Sequence, residues 1–143
     1  PGALDPADLV ALEPDAFAAP AHRAAYAAVR TVGLPSRGES AAAWHSALAE
    51  AAPAAVGPML TELSVAPLPV VLDPVTGQPG SRYARSLVLR VREVGLAREV
   101  ADALGRLRRS EAADADPAER RALALRLQEL QRALAELRQV EED

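Results

Sequence analysis

Residues 81–109, "SRYARSLVLRVREVGLAREVADALGRLRR", decide how the rest of the chain must be read. No proline interrupts them, and the spacing of their apolar positions predicts one helix of roughly 43 Å at 1.5 Å per residue, longer than a small bundle needs. The pattern changes midway. Leu87, Val91 and Val94 mark one side while Leu89 and Leu96 mark the other, so the first half is expected to have neighbours all round. Beyond Leu96 the larger apolar residues narrow to Val100, Leu104 and Leu107, enough for a single partner helix. One half belongs to a bundle; the other projects from it.

Downstream, after the turn "SEAADAD", Asp116 stands as N-cap, Pro117 at the first helical position and Glu119 at the third, a near relative of the capping box. The helix that follows contains residues 126–140, "RLQELQRALAELRQV", and its leucines Leu123, Leu127, Leu130, Leu134 and Leu137 recur with spacing 4, 3, 4, 3. That is the narrow seam of a helix packed on one near-parallel or antiparallel neighbour. The short connection favours an antiparallel hairpin with the projecting half of the long helix, so the seam is expected to close on Val100, Leu104 and Leu107 within one chain. The opposite side carries Arg121, Leu125, Gln128, Arg132 and Gln139. Leu125 between two arginines on a protruding hairpin is a reasonable anchor for a partner protein.

Upstream, Asp5 caps and Pro6 opens a short helix over about 6–13, which Pro14 stops. A second helix is expected over 20–32, with Ala25, Tyr26, Val29 and Val32 on one face and Gly33 as C-cap. "LPSRGES" is turn material, and Ser40 caps a third helix carrying Trp44 and Leu48 and ending near Ala52. Pro53 opens a fourth with the stripe Val56, Met59, Leu60 and Leu63, irregular at its start because of Gly57 and Pro58. Residues 64–80 form a long proline- and glycine-rich connection in which "PVVL" suits a short strand but has no partner strand. The fold class is all-α: a helical bundle over 1–95, then a C-terminal helical hairpin over 96–143, joined by the long helix.

Composition agrees with one bundle plus an appendage. The 143 residues are 50% hydrophobic but only 3% aromatic, so alanine, leucine and valine must build a core of closely packed helices. There is no cysteine, which excludes a disulfide framework, cysteine-ligated zinc and a cysteine nucleophile. All 16 Lys+Arg residues are arginine, and asparagine and isoleucine are missing too, a bias of GC-rich codons rather than a site. A net charge of -4 argues against a phosphate-binding surface, and so few aromatics argue against base stacking, so no direct nucleic-acid contact is expected. No signal peptide or membrane span is visible, which leads to the expectation of a soluble, cytoplasmic protein, and the start at Pro1 suggests a piece of something longer.

Catalytic chemistry finds little support. His22 and His45 lie on separate helices without an acidic ligand pattern, so no metal and no other cofactor is expected. "TGQPGSR" lacks the lysine and the spacing of a phosphate-binding loop, and no Gly-x-Ser-x-Gly elbow occurs. Glu93, Glu99 and Asp102 alternate with arginines as a solvated, self-paired face, and Trp44 and Phe17 are expected as core anchors. No catalytic residue is nominated.

The order "PDAFAAPAHRAAYAAVR", "AAAWHSALAE", "LTELSVAPLP", "ARSLVLRVREVGLAREVADALGRLRR" and a final charged leucine helix resembles the C-terminal, helicase-binding domain of bacterial DnaG-type primases, in the actinobacterial style. The resemblance spans nearly the whole chain and rests on a succession of packing patterns. It implies a bundle joined by a long helix to a terminal hairpin that docks on the N-terminal domains of the hexameric replicative helicase. The catalytic domains of such a primase, a DNA-directed RNA polymerase, would lie upstream. Family members have a further amphipathic helix before the position of Pro1. The pocket it helps form for the acidic tail of single-stranded-DNA-binding protein is therefore not carried over, and a monomer or a weak, domain-swapped dimer is expected. The runner-up is the N-terminal oligomerising collar of a replicative helicase, whose fold is similar. From another class comes a small enzyme using His22 or His45 in acid-base catalysis, which would need a deep pocket beside either histidine.

Overall fold

Local signals place the elements of the computed structural model, which describes residues 4–36, 38–75, 77–113 and 116–142, the last three by their backbone alone. Pro1, Arg37 of the "LPSRGES" turn, Thr76 of the long connection, and Asp114 and Ala115 before the last helix lie outside the described residues. Six helices follow in order: α1 (Pro6–Val10), α2 (Pro20–Val32), α3 (Ala41–Ala51), α4 (Gly57–Val65), α5 (Ser81–Ala112) and α6 (Pro117–Glu142). The chain divides into two compact units, Pro1–Val88 and Leu89–Asp143.

In the first unit, Asp5 accepts the Ala7 N–H at 2.8 Å and Pro6 occupies the first position of α1. α1 is shorter than its apolar pattern suggests. Glu13 precedes a proline and is therefore held extended (φ -86, ψ 143), so the helix closes before it and a 3-10 turn, Pro14–Ala16, follows. Leu9 and Leu12 are buried, and the hydroxyl of Tyr26 on α2 shares its proton between their carbonyl oxygens at 2.7 and 2.6 Å. The Leu9 carbonyl also accepts the Leu12 N–H at 3.2 Å, so the Tyr26 hydroxyl adds a side-chain bond at the end of α1 and ties α1 to α2. Phe17 stacks against it, ring centroids 5.1 Å apart.

α2 ends at Gly33, whose φ of 84° suits a residue without Cβ and whose N–H returns to the Val29 carbonyl at 2.8 Å. The Gly33 carbonyl accepts the indole N–H of Trp44 at 2.9 Å, which fastens α3 to the end of α2. Ser40 caps α3 through the Ala43 N–H at 3.1 Å. The core is Ala25 and Ala28 of α2, Leu48 of α3, Val56 and Leu60, with Val29, Val32, Trp44, Ala52 and Met59 packed around them. Alanines at its centre let the helices approach closely, as the scarcity of aromatics requires.

One expectation is corrected here. α4 starts through a 3-10 turn, Ala54–Val56, but its stripe does not run its length: Leu63 is exposed. Residues 66–80 contain no strand among those described; "PVVL" has no edge to pair with, and Val71 is 92% exposed. An Asp73-centred turn orders the end of this stretch, with Gly77 N–H on the Asp73 carbonyl at 2.8 Å and Val75 N–H on its carboxylate at 2.9 Å.

α5 is a continuous helix of 32 residues. Its first half does not have neighbours all round: Val88 is buried, but Leu87 and Val94 are exposed. Apolar residues on two sides of a helix show where contact is affordable, not that something lies there. In the second unit α5 and α6 run antiparallel, since Arg138 near the end of α6 reaches Glu93 at 2.9 Å while Arg126, earlier in α6, reaches Glu99 at 3.4 Å. Asp116 caps α6 through the Ala118 N–H at 3.0 Å.

Candidate protein-docking face

The hairpin has two sides. On the inner side of α6, Leu130 and Leu137 are buried and Leu123, Leu127 and Leu134 half-buried. On α5, Val100, Leu104 and Leu107 are half-buried, and the deepest position between them is Ala103. The buried or half-buried line on α5 is Leu89, Glu93, Leu96, Val100, Ala103, Leu107 and Ser110, itself a repeat of four and three. Ala103 and Ser110 escaped a reading that looked for large apolar residues; the repeat was the signal that could have found them. Ser110 is accommodated because its hydroxyl donates to the Leu107 carbonyl at 2.8 Å.

Glu93 corrects the expectation of a solvated, self-paired face. It is 9% exposed and accepts from Arg138 of α6 as well as from Arg90 one turn before it. The hydrogen bond from Arg138 holds its carboxyl below the usual value, against the opposing effect of burial, with Arg90 contributing less. Glu99 likewise reaches across to α6 rather than along α5, and its partner Arg126 also bridges Glu129 at 3.5 Å.

On the outer side of α6, Arg121, Leu125, Gln128, Arg132 and Gln139 are all exposed, and their spacing brings them to one face of the helix. Leu125 is 55% exposed, and no ion pair holds Arg121 or Arg132 among the described residues. Two unpaired guanidinium groups flanking an exposed leucine can do no covalent chemistry. They can grip a surface that offers an apolar pocket rimmed by carboxylates.

Elsewhere the chemistry is thin. His22 is exposed on α2; His45 is half-buried on α3, with Nε2 buried and without a hydrogen-bond partner among the described residues. Neither lies within ion-pair distance of a described carboxylate, and the described residues contain no cluster of three or more groups able to hold a metal ion. No described helix is long and apolar enough to cross a membrane.

Among the described residues all regular structure is helical, and the second unit is an antiparallel helical hairpin with an exposed outer face. Neither a protein-family model nor a curated protein matches the sequence. Among solved structures, the helicase binding domain of primase from Mycobacterium tuberculosis is similar to the chain, with a TM-score of 0.55 and 27% sequence identity over 94% of this chain and 83% of that one. The likeness drawn from the order of segments is thus matched by a likeness in three dimensions, and it does not favour the helicase-collar alternative.

Proposed function

We propose that this chain is a non-catalytic module of a DNA primase that docks on the replicative helicase, at the helicase's N-terminal domain, and so couples priming to unwinding. The observation that carries the reading is the similarity, over 94% of the chain, to a primase domain described as helicase-binding. The parent polymerase would act in the cytoplasm at the fork, and tethering raises its effective concentration there without any new catalytic contact. In this reading residues 1–95 act as the bundle and 96–143 as the docking hairpin, no cofactor takes part, and the module works as a monomer or a weak, domain-swapped dimer.

The contact is assigned to the outer face of α6: Leu125 as apolar anchor, Arg121 and Arg132 as its charged flanks, Gln128 and Gln139 as polar rim. Titration against the helicase N-terminal domain tests this. Leu125→Ala and Arg132→Glu should each weaken binding by about 1–2 kcal/mol, roughly five- to thirtyfold in Kd, with helicity unchanged. Unchanged affinity in both variants would remove this face from the interface. No binding by the unsubstituted chain would remove the function.

A further inference from the structure

A leucine seam with a strict alternation of four and three is also what a coiled-coil dimer uses, so something must direct α6 to α5 and not to α6 of a second copy. We infer that two ion pairs, Arg126–Glu99 and Arg138–Glu93, are the code that directs α6 onto its own α5. This does not depend on the helicase reading.

The placement of the charges supports it. Arg126 and Arg138 lie on opposite flanks of the α6 seam, so the two bonds, 3.4 Å to Glu99 and 2.9 Å to Glu93, grip α5 from both sides. On α6 between Arg120 and Gln139 the flank positions are Ala124, Arg126, Gln131, Ala133 and Arg138, with no carboxylate. Glu129 and Glu136 sit farther round, on the outer half. Two α6 seams placed face to face in parallel register would therefore leave Arg126 opposite Gln131 and Arg138 opposite Ala133. Against α5 each finds a glutamate. Counting from the Arg126–Glu99 pair, Arg106 of α5 falls level with Glu119 of α6, with the charges in the reverse order.

Glu93 strengthens the argument because it occupies a seam position that a leucine or valine would fill with no charge to bury. Arg138 is the partner this carboxylate has across the seam, and without it only Arg90 of its own helix remains, which penalises pairings that lack Arg138. Partner choice and orientation, rather than raw stability, are what such a residue provides.

Charge exchange tests the code. The cysteine-free chain accepts spin labels at exposed Ala97→Cys and Ala135→Cys, whose separation reports hairpin closure, while light scattering reports mass. Reversing α6 alone (Arg126→Glu with Arg138→Glu) should abolish the short intramolecular distance. Adding Glu93→Arg and Glu99→Arg to the same chain should restore it. Mixing the α6-reversed chain with an α5-reversed chain (Glu93→Arg, Glu99→Arg) should double the mass, each α6 now finding the other chain's α5. Should the four-residue exchange fail to fold, the more exposed Arg126→Glu with Glu99→Arg exchange alone must recover the closed distance lost in Arg126→Glu. A closed hairpin after reversal of α6 alone, no recovery on exchange, or no heterodimer on mixing overturns the inference.

Discussion

Two leucines on α6, five residues apart, should behave as different kinds of residue. Leu130 is 5% exposed in the seam, whereas Leu125 is 55% exposed on the outer face. Truncating Leu130 to alanine removes three carbons from contact, about 2.4 kcal/mol at ~0.8 kcal/mol per CH₂. A cavity contribution adds to this, but a seam between only two helices can close over a void better than a core with neighbours on every side. The expected cost is therefore about 2–3 kcal/mol, the low end for a buried leucine. Leu125→Ala should stay within about 0.5 kcal/mol, as surface changes do. Hydrogen exchange suits the comparison because it reads α6 amides separately from those of the bundle. With ~1.4 kcal/mol per factor of ten, Leu130→Ala should speed exchange across 123–137 by roughly 30- to 150-fold, and Leu125→Ala by no more than about twofold. An acceleration below about threefold for Leu130→Ala, or equal effects at both positions, would mean that the seam is not where the hairpin is held and would refute the division of α6 into an inner and an outer side.

Three further outcomes follow from the geometry. Gly33→Ala places a Cβ on a residue at φ 84° and should cost about 1–3 kcal/mol, seen as a lower midpoint in Trp44 fluorescence, since the Trp44 indole is bonded to that residue's carbonyl. Tyr26→Phe removes the hydroxyl that donates to the Leu9 and Leu12 carbonyls, of which Leu9 keeps the Leu12 N–H, and should cost about 1–3 kcal/mol, loosening residues 5–12 to proteolysis. Burial raises the pKa of Tyr26, so its contribution is intact below the ordinary value of 10.0 and is lost as pH rises through the higher folded value; the alkaline decline in stability should be shallower in Tyr26→Phe. Glu93 shifts the opposite way: its contribution is present above the ordinary value of 4.5 and disappears as pH falls through the lower folded value, so Glu93→Gln should flatten the acid limb of hairpin stability followed by circular dichroism.

How far these features could be read from residues alone depended on the kind of signal. Caps are local chemistry, and Asp5, Ser40 and Asp116 each accept the N–H their positions call for. Helix starts were legible for that reason. Periodicity is a weaker witness: it says which residues share a face but not whether anything covers it. Leu60 and Leu63 share a stripe, yet one is buried and the other exposed; Leu87 and Val94 share another, and both are exposed. Composition misled in the other direction at Glu93, where alternating charges suggested solvent and the four-three repeat, taken without regard to residue type, would have placed it inside.

The same distinction bears on the docking face. Arg121, Leu125, Gln128, Arg132 and Gln139 were legible as a set because the seam fixes the orientation of α6 and whatever lies opposite must face outward. What the set binds depends on a surface outside this chain, which no pattern within it can encode. The partner enters through likeness to another protein, while the proposal of this face rests on exposure: the seam leucines are buried or half-buried and the five outer residues are exposed. That ordering also gives the two substitutions at Arg138 and Arg132 different meanings, although both remove an arginine from one helix. Losing Arg138 withdraws from a buried carboxylate its donor on the other helix, leaving only Arg90, and should open the hairpin. Losing Arg132 breaks no bond within the described structure, so any effect it has on binding must arise at the partner.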